Sequence, residues 1–128
     1  MRKMTDEELA RIVHSAHVAY NIILGDNAPD SPWDALSFRH QEQVARRVKS
    51  IRQGHGAAQI HAEWVDEMKR WGWKLGDVKD PAKKTHPCLR PYDELPPEQQ
   101  DKDRMAVNLV LTFMPPEELM NVMMAREA

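Results

Sequence analysis

The sequence predicts a mainly helical single domain with a short extended turn-back and a long proline-rich loop. Three observations carry that prediction: apolar residues return at helical spacing in several stretches, the period shortens to alternation around residues 73–75, and Pro81, Pro87 and Pro91 follow close together. At 128 residues the chain is long enough to bury a core without disulfides or metals as staples.

The first helix starts at Thr5, which forms a capping box with Glu8, while Asp6, Glu7 and Glu8 put negative charge at the positive end of the helix dipole. Leu9, Ile12, Val13, Ala16, Tyr20, Ile23 and Leu24 mark its core face, and Gly25 ends it. His14 and His17 lie one turn apart but have no third ligand at metal spacing, so no metal site is expected. Asp26, Asn27, Pro29, Asp30 and Pro32 make a turn-rich connection, and Trp33 within it reads as a lid on the core. Ser37 caps a second helix with Phe38, Gln41, Val44, Ala45, Val48 and Ile51 on one side. Arg39, Arg46, Arg47, Lys49 and Arg52 stand opposite and read as a solvated face.

A third helix is expected from about Ala57 to Arg70, carrying His61, Trp64, Val65 and Met68 on one side, and Gly72 stops it. Trp73 and Leu75 then alternate with Lys74 as a short extended piece does, and Gly76 permits a reversal. Asp80-Pro81 opens a turn, and the three prolines stiffen the loop that follows. A fourth helix begins at Leu95-Pro96-Pro97-Glu98, with Met105, Ala106, Leu109, Val110 and Phe113 as its apolar face, and Pro115-Pro116 stops it. In the tail, 115–128, Leu119, Met120, Val122, Met123 and Met124 crowd into a short helix. That helix either folds back onto the core or offers its methionines to a second copy of the chain, a possible homodimer contact.

Composition narrows the function. The 18 basic and 20 acidic residues leave a net charge of −2, which argues against a general nucleic-acid binder. Cys88 is the lone cysteine, so an internal disulfide is excluded and a reducing compartment is expected. No apolar run is long enough to span a bilayer, and the opening MRKMTDEELA lacks the apolar core of a secretion signal; a soluble, cytoplasmic protein without a membrane partner is the expectation. No activated nucleophile, acid and base pair or metal is legible, so the chain reads as non-catalytic, with no cofactor. His86 and Cys88, two apart in an extended H-P-C segment, lack a third orienting group.

The residues that point to a family are His61, Trp64, Gly72, Trp73, Gly76, Asp80, Pro81, Lys83, Lys84, His86, Pro87, Cys88, Leu89, Pro91, Tyr92, Leu95, Pro96, Lys102 and Asp103. Their pattern resembles the ryanodine receptor repeat, or RyR domain. It is most similar to the small stand-alone versions of bacteria and phages, which also begin with a T-x-E-E-x-A-R helix, here Thr5, Glu7, Glu8, Ala10 and Arg11. The resemblance covers roughly Met4 to Phe113, giving a domain over 1–114 with its motif core at 57–104. It implies a cytoplasmic bacterial protein, phage-encoded or not, that binds a small anionic ligand such as an adenine nucleotide or a nucleotide-derived signal. Leu75 stands where the family commonly has an aromatic residue and Met68 where it has a basic one, which implies a weaker grip from those positions.

The residues themselves allow the same reading. Trp64 and Trp73 offer flat faces, His61 and Tyr92 adjoin them, and Lys83, Lys84, His86 and Arg90 lie on the loop that must cross back nearby. A cleft between Trp64 and the segment ending at Tyr92 is therefore the expected ligand site. In the alternative, Trp64, Trp73 and Tyr92 form a second small core with the lysines in water, and the chain docks on a protein. A phage protein that sequesters a host defence signal is a third version.

Overall fold

The computed structural model describes residues 2–26 and 30–127; Asn27 and Pro29 of the expected turn lie outside the described residues. Five helices follow one another: α1 (Asp6–Ile23), α2 (Phe38–Arg52), α3 (Ala57–Arg70), α4 (Pro97–Thr112) and α5 (Pro116–Glu127). Two short strands, β1 (Lys74–Leu75) and β2 (Thr85–His86), lie between α3 and α4. The mainly helical architecture with a small extended element is thus as the sequence predicts. None of the described helices is long and apolar enough to cross a membrane.

Each helix starts for a local reason. At α1 the Glu8 N–H donates to Thr5 Oγ1 at 3.1 Å and the Thr5 N–H to Glu8 Oε1 at 3.0 Å, the reciprocal capping box. At α2 the His40 N–H donates to Ser37 Oγ at 3.1 Å. Pro97 occupies the first turn of α4, where a missing N–H costs nothing. Gly72, with φ of +89°, takes the left-handed step that ends α3.

One core unites all five helices, α3 through Ile60. Leu9, Ala10, Val13, Val48, Ile51, Ile60, Ala106 and Val110 are fully buried in it, and Val122 brings α5 back onto it. Arg52 ties the same ends together by reaching the Met4 carbonyl, Asp6 and Glu118. Trp33, only 5% exposed, covers this core as a lid, and its carbonyl accepts from Gln41 Nε2 at 2.9 Å.

Three details depart from the sequence reading. Ile23 and Phe38, placed on core faces, are 80% and 75% exposed. The buried residues of α1 all fall between Leu9 and His14, so its last turn runs past its partners. The arginine face of α2 is not simply solvated, because α2 is packed by α1, α3 and α4 at once. Arg46 forks onto Glu67 with two bonds of 2.9 Å, and the Arg39 guanidinium sits 3.8 Å from the centre of the Trp71 ring. The expected extended turn-back is present, and its strands β1 and β2 run parallel, with Lys74 opposite Thr85 and Leu75 opposite His86. The chain reverses twice to achieve this, closed by an antiparallel bridge between Asp80 and Thr85. Gly76 serves by absence of a side chain, since a Cβ there would lie 2.6 Å from that of Thr85.

Candidate functional site

A cavity of about 280 Å³ opens where the second half of α1, the first half of α2, α3, the β2 loop and the start of α4 meet. Its apolar walls are Trp64, Met68, Trp71 and Trp73. Helix α3 and the turn after it supply all four: Trp64 and Met68 are one turn apart on one face, and the Gly72 stop swings Trp73 back over them. His86 completes the aromatic lining, edge-on to Trp64 with ring centres 5.0 Å apart and 6.4 Å from Trp73.

Helix α2 contributes Gln43 and Arg47, again one turn apart. Gln43 is buried and its Nε2 has no hydrogen-bond partner among the described residues. The Arg47 guanidinium makes no ion pair and donates no hydrogen bond among the described residues. Burial pulls its pKa below the ordinary arginine value, against the opposing fields of Asp103, Glu67 and Asp30. Gln43, Arg47 and Trp64 also border a second groove, between α2 and α3.

Lys102 and Asp103 enter from α4. Burial lowers the pKa of Lys102 and raises that of the Asp103 carboxyl, the latter despite the nearby charges of Arg47, His61 and Lys102. His61 Nδ1 lies 3.6 Å from Asp103 Oδ2. His61 Nε2–H is already committed, donating to the Arg90 carbonyl at 2.7 Å.

Burial disfavours the charged form of three further histidines, His86, His17 and His40. His86 Nδ1 accepts from the Cys88 N–H at 3.0 Å, and burial brings its pKa down to about 4. His17 Nε2–H donates to the Lys102 carbonyl at 2.9 Å, and burial, with Arg47 nearby, brings it down to about 3. Burial lowers His40 as well. His14 Nε2–H donates to the Ser31 carbonyl at 2.6 Å, so the two histidines of α1 each hold a backbone oxygen. Among the described residues no group of three His, Cys, Asp or Glu side chains is placed to hold a metal. At the rim, Asp30 pairs with Lys79 at 2.6 Å; burial opposes the Asp30 charge, but Lys79 more than offsets it and the pKa falls.

Of the residues expected from sequence, His61, Trp64, Trp73 and His86 line this cavity, and it occupies the expected space beside Trp64. Lys83, Lys84, Arg90 and Tyr92 do not line it. Lys83 is exposed, its N–H on Asp80 Oδ1. Lys84 turns the other way, with Nζ donating to the Trp71 carbonyl at 2.9 Å as a cap on α3. Arg90 Nε donates to the Pro87 carbonyl, and the Tyr92 hydroxyl to that of Gln100, so both brace the loop; the Tyr92 ring backs His61 at 6.1 Å. Gln43, Arg47, Lys102 and Asp103 also line the cavity and were not among the expected site residues, although Lys102 and Asp103 belong to the pattern that carries the RyR resemblance. Their signal was present as polar residues interrupting apolar helix faces, Gln43 just before Val44 and Asp103 one turn before Ala106 and Val107.

A family model described as RyR domain matches residues 32–118, and the chain belongs to the RyR domain family. The match takes in α2, α3, the loop and α4, hence the aromatic walls and all four of those polar groups. Helix α1, which brings His14 and His17 to the cavity, precedes it.

Proposed function

We propose that the chain is a non-catalytic RyR-type binding module whose cavity takes a small, flat, anionic ligand of mononucleotide size. The observation that carries the reading is Arg47: a guanidinium turned into a cavity with aromatic walls, where no described carboxylate or carbonyl takes its protons. A half-buried, poorly solvated charge without partners is costly, and an anion that enters and accepts from it reduces that cost. Gln43 Nε2, also without a partner, stands one turn away for a second acceptor. Stacking of a base on an aromatic ring adds about 1–3 kcal/mol. The cavity volume, about 280 Å³, lies just below the roughly 300–1,000 Å³ usual for ligand sites, which suits a mononucleotide better than a dinucleotide. Met68 in place of a basic residue leaves the anion to α2.

Isothermal titration with a panel of mononucleotides tests this, with tryptophan fluorescence as a second readout because three indoles line the site. Saturable binding below millimolar concentration is expected. Silence across the panel would transfer support to the docking reading, in favour of which Ile22, Ile23 and Phe38, and on α5 Met120, Met123 and Met124, are exposed apolar side chains.

A further inference from the structure

Resting on the reading of the cavity as a nucleotide site, we propose that it selects among bases, with the Asp103 carboxylate accepting the ring N–H and exocyclic amino group of guanine, so that guanine nucleotides are preferred to adenine ones.

The argument starts from what Asp103 lacks. Its side chain is 14% exposed, faces the cavity, and receives no hydrogen bond from a described side chain. His61 does not supply one. The His61 Nε2–H is on the Arg90 carbonyl, and its Nδ1 lies 3.6 Å from the carboxylate, beyond hydrogen-bond distance. The carboxylate therefore keeps room for donors from a ligand. Burial pushes the carboxyl pKa up, as it does for a charge short of hydrogen bonds.

The position of Asp103 then picks the part of the ligand. The His61 ring links it to Trp64, with ring centres 5.6 Å apart, so a base stacked on that indole meets the carboxylate with its edge. Guanine presents two adjacent N–H donors, the pattern a carboxylate accepts with both oxygens. Adenine presents one amino group beside a ring nitrogen whose lone pair would confront the second oxygen. The unpartnered donors, Gln43 Nε2 and the Arg47 guanidinium, lie on α2 and take the acceptors, the base carbonyl and the phosphate. Oppositely charged Arg47 and Asp103 share the cavity without approaching to ion-pair distance, the separation a ligand with both donors and acceptors fills.

Titration calorimetry on the full chain with GMP, IMP, AMP and 2′-deoxy-GMP tests this. GMP is expected to bind about tenfold or more tighter than AMP, the discrimination typical of a two-point contact to a base edge, with IMP between them. Asp103→Asn should reverse the order, because an amide offers one donor and one acceptor, the complement of adenine; a thermal melt checks that the variant is folded. The wild-type ratio stands without the variant. Equal affinity for GMP and AMP overturns base selection, and a concurrent loss with 2′-deoxy-GMP assigns the carboxylate to the ribose hydroxyl instead. No binding by any of the four overturns both this inference and the nucleotide reading beneath it.

Discussion

The two ends of the α1–α2–α4 packing are made from the same three helices and differ in what they leave unsatisfied. At one end Leu9 and Val13, Val48 and Ile51, and Ala106 and Val110 meet with 0–1% exposure and no polar atom among their side chains. At the other, a turn or two along each helix, His17, Gln43, Arg47 and Asp103 face a cavity. Buried polar groups are ordinarily paired; here Gln43 Nε2 has no partner among the described residues, and the half-buried Arg47 guanidinium donates no hydrogen bond among them. The first end holds the fold together; the second leaves polar groups unsatisfied, which under the proposed function a ligand satisfies.

Core truncation should have the largest effect. Ile51→Ala removes a fully buried side chain from the apolar end and is expected to cost about 2–5 kcal/mol in a denaturant titration, while the folded fraction keeps its ligand affinity. Arg47→Met separates the two ends more sharply. It should weaken nucleotide binding by a factor on the order of 10–100, the worth of a hydrogen bond to a charged group, yet leave stability unchanged or raise it by about 1 kcal/mol, because an unpaired charge leaves a poorly solvated place. A variant less stable than the parent would make Arg47 a structural residue and erase the contrast.

How far the sequence disclosed this differs between the ends. The apolar end is written in local periodicity, and the capping box at Thr5, the Ser37 cap and the stop at Gly72 fix helix limits from residues within one turn of each boundary. The RyR pattern drew the eye to Trp64, Trp73 and His86, which do line the cavity. The loop cations were harder to place. Lys84 lies near the aromatic residues in sequence, but its direction depends on its own positive φ of 53° and on the free carbonyl at the end of α3, neither visible in a residue pattern. Arg47 looked like its solvated neighbours on α2 because the sequence does not show that α3 and α4 close over that side of the helix. The parallel pairing of β1 and β2 was hidden similarly, since two-residue strands carry no register signal.

Acid should act on the polar end first. His86 and His17, with pKa values near 4 and 3, stay neutral in the fold while the unfolded chain protonates near 6.5. Between pH 6.5 and 4 the unfolded state therefore binds more protons, and stability falls with pH by at most about 1.4 kcal/mol per unit for each histidine. The raised carboxyl of Asp103 works in the opposite sense, taking up its proton earlier in the fold than in the unfolded chain, and offsets part of that loss. Thermal midpoints measured from pH 7 to 4 should decline across the window. A flat profile would mean that the histidines are solvated and the cavity is wetter than its geometry indicates.

The smallest expected effect tests whether the loop cations belong to either end. Lys84→Met keeps the aliphatic stem beside Gly72 and removes the ammonium that caps the Trp71 carbonyl. A cap of this kind at a helix C-terminus is worth about 0.3–1 kcal/mol, and the loss should appear as a small drop in thermal midpoint. Lys83→Met should change stability by less than about 0.5 kcal/mol, as surface substitutions do. Neither should change nucleotide affinity beyond about twofold at physiological ionic strength, because exposed charges outside the cavity are screened by salt. If Lys84→Met weakened binding as much as Arg47→Met, the anion would be held from the loop rather than from α2, and the polar end would have to be redrawn around β2.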